Sequence, residues 1–266
     1  MKAIIVAAGF GTRMLPINKT IPKEMLPVGD KPVIQYCIEE ISEAGVKDVI
    51  MITSKYKKAL EDYFDKNFEL EQALEKSGKT EFLKAIIKPT KLVNATFVRQ
   101  LKALGTGHAV YQTKPWIKDD YFMVIFPDCI YPTGMFKSMM EQFNKNPQPI
   151  IACHKVPMEE VYKYGIVSVD ENNHVNDLIE KPKIEEAPGN LIRNGVAILP
   201  YSIFDKIEQT KADSRSGETN LPDAMKLLKD EMNILAMEFA PYKDIGNIKA
   251  RMEANNKLFT DGKLFD

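Results

Sequence analysis

Between Ala7 and Pro27 the chain reads AAGFGTRMLPINKTIPKEMLP, placing Gly9, Gly11, Arg13 and Lys23 in one proline-interrupted stretch. Glycines let backbone N–H groups come close to an anion. Arginine adds a fixed, always-charged fork that suits phosphate oxygens, and lysine adds a point-like cation. A dinucleotide-binding turn requires a third glycine leading straight into a helix. Met14 stands at that position, and Pro16 opposes a helix through the loop. The stretch therefore suits a triphosphate better than a dinucleotide pyrophosphate. The competing reading is a surface loop with ordinary solvated cations.

Other candidates lie further along. Asp128 follows the apolar run YFMVIF, where an open α/β sheet places its ligand crevice. A carboxylate there can bind a hard cation or simply cap a turn. Glu180 and Lys181 are consecutive and are followed by Pro182. Neighbouring strand residues face opposite ways, so a turn at Pro182 is needed for both to reach one crevice. Otherwise they are an exposed charge pair. Gln100 ends a β run, and its amide can both donate to and accept from a nucleobase edge.

These residues need elements to hold them. Ala3–Ala8 reads as a buried strand, and residues 32–44 read as an amphipathic helix with Ile34, Cys37, Ile38 and Ile41 on one face. Residues 48–53 form a second strand, so the chain opens with a right-handed parallel unit. Residues 55–74 read as one polar-faced helix. Strands follow at 95–100, 121–126 and 149–155, with helices at 106–116 and 135–143. Short β runs at 165–169, 175–180 and 195–199 precede a helix at 221–229, a strand at 234–239 and a last helix at 247–259. The pattern predicts one compact domain over 1–266. Its doubly wound half, 1–155, is expected to bind nucleotide, and its mixed half, 156–266, to bind sugar and support oligomerisation.

Bulk properties exclude several classes. With 36 Lys+Arg against 37 Asp+Glu, the net charge of −1 disfavours a nucleic-acid binder working by general phosphate attraction. The three cysteines, Cys37, Cys129 and Cys153, lack metal-type spacing and sit in apolar runs, as buried cytoplasmic thiols do. The three histidines are scattered and form no zinc motif; His108 reads as helix-start packing. No run of apolar residues is long enough to span a membrane. The apolar start flows directly into GTRMLP, as a first strand does and a cleaved leader does not.

Taken together, AAGFGTRMLP and IPKEMLPVGDKPVIQY resemble the signature of sugar-1-phosphate nucleotidyltransferases, above all the bacterial and archaeal UTP–glucose-1-phosphate uridylyltransferases. The likeness continues through VRQ, GTGHAV, PDCI, YGIV, IEKPKIEEAPGNL and DIGN, in order along nearly the whole chain. It implies an α/β, Rossmann-like doubly wound mixed sheet of the nucleotide-diphospho-sugar transferase, GT-A-like kind. It also implies that UTP and glucose 1-phosphate give UDP-glucose and pyrophosphate with Mg2+ as cofactor, in a cytoplasmic homo-oligomer, dimer or tetramer. Arg13 would hold the β- and γ-phosphates and Lys23 the α-phosphate. Ala8, Gly9, Gly11, Gln100, Gly105 and Gly107 would surround the nucleotide. Tyr164, Gly165, Glu180, Lys181 and Gly195 would line the sugar side, Lys181 taking the sugar phosphate. Asp128 and Asp244 would share the metal, although 116 positions separate their numbers.

Three departures fall on the sugar and loop segments. The family's Glu-Ile-Gln-Leu-Thr-Asp run is Glu218–Asp223 here, ETNLPD; LIRNGVAIL replaces a Val-Gly-Arg-Tyr pattern; and GTGHA matches N-acetylglucosamine-1-phosphate uridylyltransferases. N-acetylglucosamine 1-phosphate or dTTP is thus the alternative substrate. An NAD(P)-dependent oxidoreductase is disfavoured by Met14 and by Ser54, which stands where an acidic residue is needed. A non-catalytic sugar-nucleotide sensor is disfavoured because Arg13, Lys23, Asp128, Lys181 and Asp244 are all present.

Overall fold

The structure, a computed structural model, describes residues 1–265. Its first half is built from β1 (Lys2–Val6), the short β2 (Pro27–Val28) and β3 (Lys31–Pro32), α1 (Val33–Glu43), β4 (Asp48–Thr53), α2 (Lys58–Phe64), α3 (Phe68–Lys76), α4 (Thr80–Leu92), β5 (Asn94–Arg99), α5 (Thr106–Tyr111), β6 (Tyr121–Ile125), β7 (Cys129–Ile130), α6 (Met135–Lys145) and β8 (Ile150–Lys155). The second half contains β9 (Gly165–Val169), β10 (Val175–Glu180), β11 (Leu191–Pro200), α7 (Ile203–Gln209), α8 (Leu221–Lys229), β12 (Leu235–Glu238), β13 (Lys243–Asp244) and α9 (Ile248–Asp261).

One mixed sheet of nine strands organises the molecule, with path β10-β9-β11-β6-β1-β4-β5 and with β8 and β12 attached through β11. β1 runs parallel to both β4 and β6, and β5 runs parallel to β4. β11 is antiparallel to β6 and joins the two halves. Alternation along the strands sends side chains to two cores. Ile4, Ile50, Phe122 and Val124 meet Phe204, Leu221 and Leu228 on one face. Ala3, Ile5, Met51 and Met123 meet Ile34, Ile38 and Phe136 on the other.

The expected strands at 48–53, 165–169 and 175–180 and the helix at 221–229 are found at those limits. The single helix expected over 55–74 is instead two. Asn67 Oδ1 accepts from Leu70 N at 3.1 Å and starts a separate helix, while residues 55–57 turn to bury Lys57. α4 lies outside the elements expected above and holds Pro89 in its interior, where proline ordinarily argues against a helix. The expected helix over 106–116 ends at Tyr111 and is followed by a short 3-10 turn. β11 begins four residues before the expected Gly195 because it continues through a bulge.

Candidate active site

Ala7, Ser54, Gln100 and Phe126 directly follow or lie just beyond the carboxyl ends of β1, β4, β5 and β6, along one rim of the parallel strands. Such a rim is the usual place for a ligand in an open α/β sheet. A cleft of about 680 Å³ opens beside it. Arg13, Asp128, Tyr164, Gly165, Glu180, Lys181, Gly195 and Asp244 all line it. A second cavity, about 450 Å³, is lined by Ala8, Phe10, Ser54, Tyr56, Gln100 and Leu101.

The charged centre sits on Asp128. Lys23 Nζ lies 2.7 Å from Asp128 Oδ2, and Arg13 Nη2 lies 3.9 Å from the same oxygen. Burial opposes the charge of Asp128, but Lys23 and Arg13 outweigh it and hold the carboxyl below its usual range. Burial likewise opposes the charge of Lys23, and Asp128 and Glu24 more than restore it.

Asp244 reaches this centre through β13, which pairs with β7 so that Asp244 faces Cys129. Two ladder residues hold it there. Its Oδ1 accepts from Gly246 N at 2.8 Å. A Cβ on Gly246 would lie 3.0 Å from both Arg13 Nη2 and Asp244 Oδ1. The bare glycine therefore makes room for the guanidinium beside the second carboxylate. Among the described residues no three His, Cys, Asp or Glu side chains gather as a metal cage.

β10 ends at Glu180, and Lys181 adopts φ 48°, a left-handed conformation rare outside glycine. That turn lets two consecutive residues face the same cleft. Strained backbone of this kind clusters at functional sites. Lys181 N donates to Tyr164 O at 2.9 Å, which ties the turn to β9.

Gln100 is buried, and its Nε2 donates to Gly105 O at 3.1 Å and lies 2.9 Å from His108 Nδ1. Burial lowers the His108 pKa, so the ring is neutral at pH 7 and serves as a partner for the glutamine. Gly105 and Gly107 line neither cavity. Their missing side chains answer to the backbone of Thr219, whose oxygen would lie 2.4 Å from a Cβ on Gly105 and 3.0 Å from one on Gly107. Gly11 has φ 63° and packs against Asn18 and Lys23, whereas a Cβ on Gly9 would meet nothing within 4 Å.

Several site residues escaped sequence reasoning. Phe10, Tyr56 and Leu101 expose large apolar surfaces at the second cavity. Arg193 and Tyr242 line the main cleft. Glu24 and Lys57 form a buried ion pair behind Lys23. An exposed aromatic beside a glycine turn is the one signal that could have marked Phe10; the others depend on contacts distant in sequence.

The fold and this charged rim define a phosphate-handling α/β enzyme of the nucleotide-transfer type. Residues 2–261 match the nucleotidyl transferase family, and the chain belongs to it. A UTP–glucose-1-phosphate uridylyltransferase of Staphylococcus saprophyticus is 41% identical, covering 90% of this chain and 85% of the relative. One from Pseudomonas aeruginosa is 38% identical over 98% of each chain. A solved UDP-glucose pyrophosphorylase in complex with UDP-glucose superposes with TM-score 0.86 at 35% identity, covering 98% of both chains. No helix among the described residues is long and apolar enough to cross a membrane.

Proposed function

We propose that this protein transfers a uridylyl group from UTP to glucose 1-phosphate, giving UDP-glucose and pyrophosphate. The observation that carries the reading is the convergence of Arg13 and Lys23 on Asp128 at the strand rim, in the same cleft as Glu180 and Lys181. The names and structures of similar proteins support it.

Two polyanions must meet in line, so the protein's task is to neutralise charge and align the reacting groups. Arg13 and Lys23 take up the phosphates of UTP, with Lys23 exchanging Asp128 for a phosphate oxygen. Lys181 holds the sugar phosphate, whose oxygen attacks the α-phosphorus as pyrophosphate leaves. Gln100, locked by Gly105 and His108, presents its amide oxygen to the uracil edge in the cavity beside Ala8. No protein nucleophile is required. The three cysteines are buried, and burial pushes the Cys37 and Cys129 thiols far up and Cys153 to about 12.

Asp128 and Asp244 offer oxygen donors only, the chemistry a hard cation such as Mg2+ prefers, and would hold it there. Such an ion would supply positive charge to neutralise phosphate oxygens. Pyrophosphate release measured with UTP, glucose 1-phosphate and Mg2+ tests the function. Asp128→Asn should abolish turnover while the thermal transition stays cooperative. Release at the wild-type rate by that variant would reject the assignment.

A further inference from the structure

The sugar side of the cleft contains a cation whose role the transfer chemistry leaves open. Arg193 lies on β11 just before the strand's bulge, and its Nη2 donates to Glu180 Oε2 at 2.7 Å. The pair lies across Gly165: a Cβ there would stand 2.6 Å from Arg193 Nε and 2.8 Å from Glu180 Oε2. β9 thus presents bare backbone where the two charged groups rest. Both side chains line the main cleft, that of Arg193 24% exposed and that of Glu180 46% exposed. The guanidinium is held by Glu180 while the Arg193 side chain keeps part of its surface on the cleft.

A carboxylate only accepts hydrogen bonds, and a guanidinium only donates them. Placed side by side, they form an edge with fixed polarity. A sugar ring carries neighbouring hydroxyls, each able to donate and accept. One hydroxyl can donate to Glu180 while the next accepts from Arg193. A carboxylate alone would read only the first of these.

We propose that Arg193 is a specificity-determining residue that reads, together with Glu180, two adjacent hydroxyls of the hexose ring. This inference rests on the reading of the cleft as a sugar-phosphate site. The paired edge disfavours a sugar lacking the hydroxyl that Arg193 reads, because a partly desolvated guanidinium edge then loses its acceptor.

The test compares wild type, Arg193→Val and Arg193→Lys with glucose 1-phosphate and its 2-, 3- and 4-deoxy analogues, following pyrophosphate release. In the wild type, one deoxy analogue should lose about tenfold or more in kcat/KM. In Arg193→Val, KM for glucose 1-phosphate should rise about tenfold while KM for UTP changes less than about twofold, and the penalty for that one analogue should disappear. Arg193→Lys keeps the charge without the fork; it should recover part of the sugar affinity and provides the comparison should the valine variant fold poorly. An unchanged sugar KM, or equal losses for every analogue, would overturn the role of Arg193. Absence of pyrophosphate release by the wild type with every hexose 1-phosphate would overturn the underlying reading of the cleft.

Discussion

Lys57→Met should be among the most damaging single changes outside the cleft. Lys57 Nζ lies 2.6 Å from Glu24 Oε2, with the two side chains 4% and 1% exposed. With an effective dielectric of about 20, their attraction is roughly 6 kcal/mol. Burial nevertheless wins at Lys57, whose pKa is lowered despite Glu24. The pair is therefore a weak net stabiliser as built but costly to break. Methionine would leave a buried carboxylate whose Oε1 already lacks a partner among the described residues. Leaving such a charge uncompensated costs about 3–5 kcal/mol. In a domain of this size that lowers Tm by roughly 6–20 °C. Denaturant titration of wild type, Lys57→Met, Glu24→Leu and the double variant measures the coupling. The double variant should recover most of the loss. A single-variant loss below about 1 kcal/mol, or strict additivity in the cycle, would refute the argument.

Two further outcomes follow from local geometry. Gly105→Ala must place a Cβ at φ 95° and 2.4 Å from Thr219 O, so it should lose about 2–4 kcal/mol in denaturant unfolding. Gly9→Ala meets nothing within 4 Å and should stay within about 0.5 kcal/mol of wild type, so a rise in its KM for UTP would report backbone approach to the nucleotide. Burial pushes the His154 imidazole down to about 4 from 6.5, and its Nδ1 has no partner among the described residues. The unfolded chain binds the extra proton between those values, so stability present above pH 6.5 is lost as pH falls toward 4, by about 3 kcal/mol. His154→Gln should flatten that part of the stability curve, and parallel curves for the two proteins would rule the assignment out.

What could be read from the sequence was what is local. Asp128 and the glycine turn follow apolar runs, and strand ends are visible as the places where such runs stop. The Glu180–Lys181 turn was legible for a similar reason: Pro182 signalled the end of a strand, and the left-handed Lys181 supplies the required change of direction. Gly105 and Gly107 show the limit of that approach. A glycine-containing loop before a helix is visible in the sequence, but the Thr219 backbone these glycines pack against is not. Nothing in the spacing of residues 105 and 219 reveals that contact. Lys57 was equally hidden, since a lysine in SKYKK looks solvated until its partner, 33 positions away, is known.

Arg251 shows why the last helix matters to a site whose most distinctive loop lies at the other end of the chain. From α9 its guanidinium donates to Lys23 O at 3.1 Å, Leu26 O at 2.7 Å and Pro27 O at 3.2 Å. It also donates to Ile245 O at 3.4 Å, next to Asp244. One planar fork thus ties the turn carrying Lys23 to the segment carrying Asp244. A lysine, with a single nitrogen, could not span those four carbonyls. Asn255, one turn further along α9, accepts from Gly29 N at 2.9 Å and fixes the loop just beyond the Lys23 turn. The pairing of β13 with β7 brings Asp244 beside Cys129 and hence close to Asp128. The position of Lys23 relative to both carboxylates therefore depends on main-chain oxygens held by a residue 228 positions away, and those oxygens carry no sequence identity by which the dependence could be recognised.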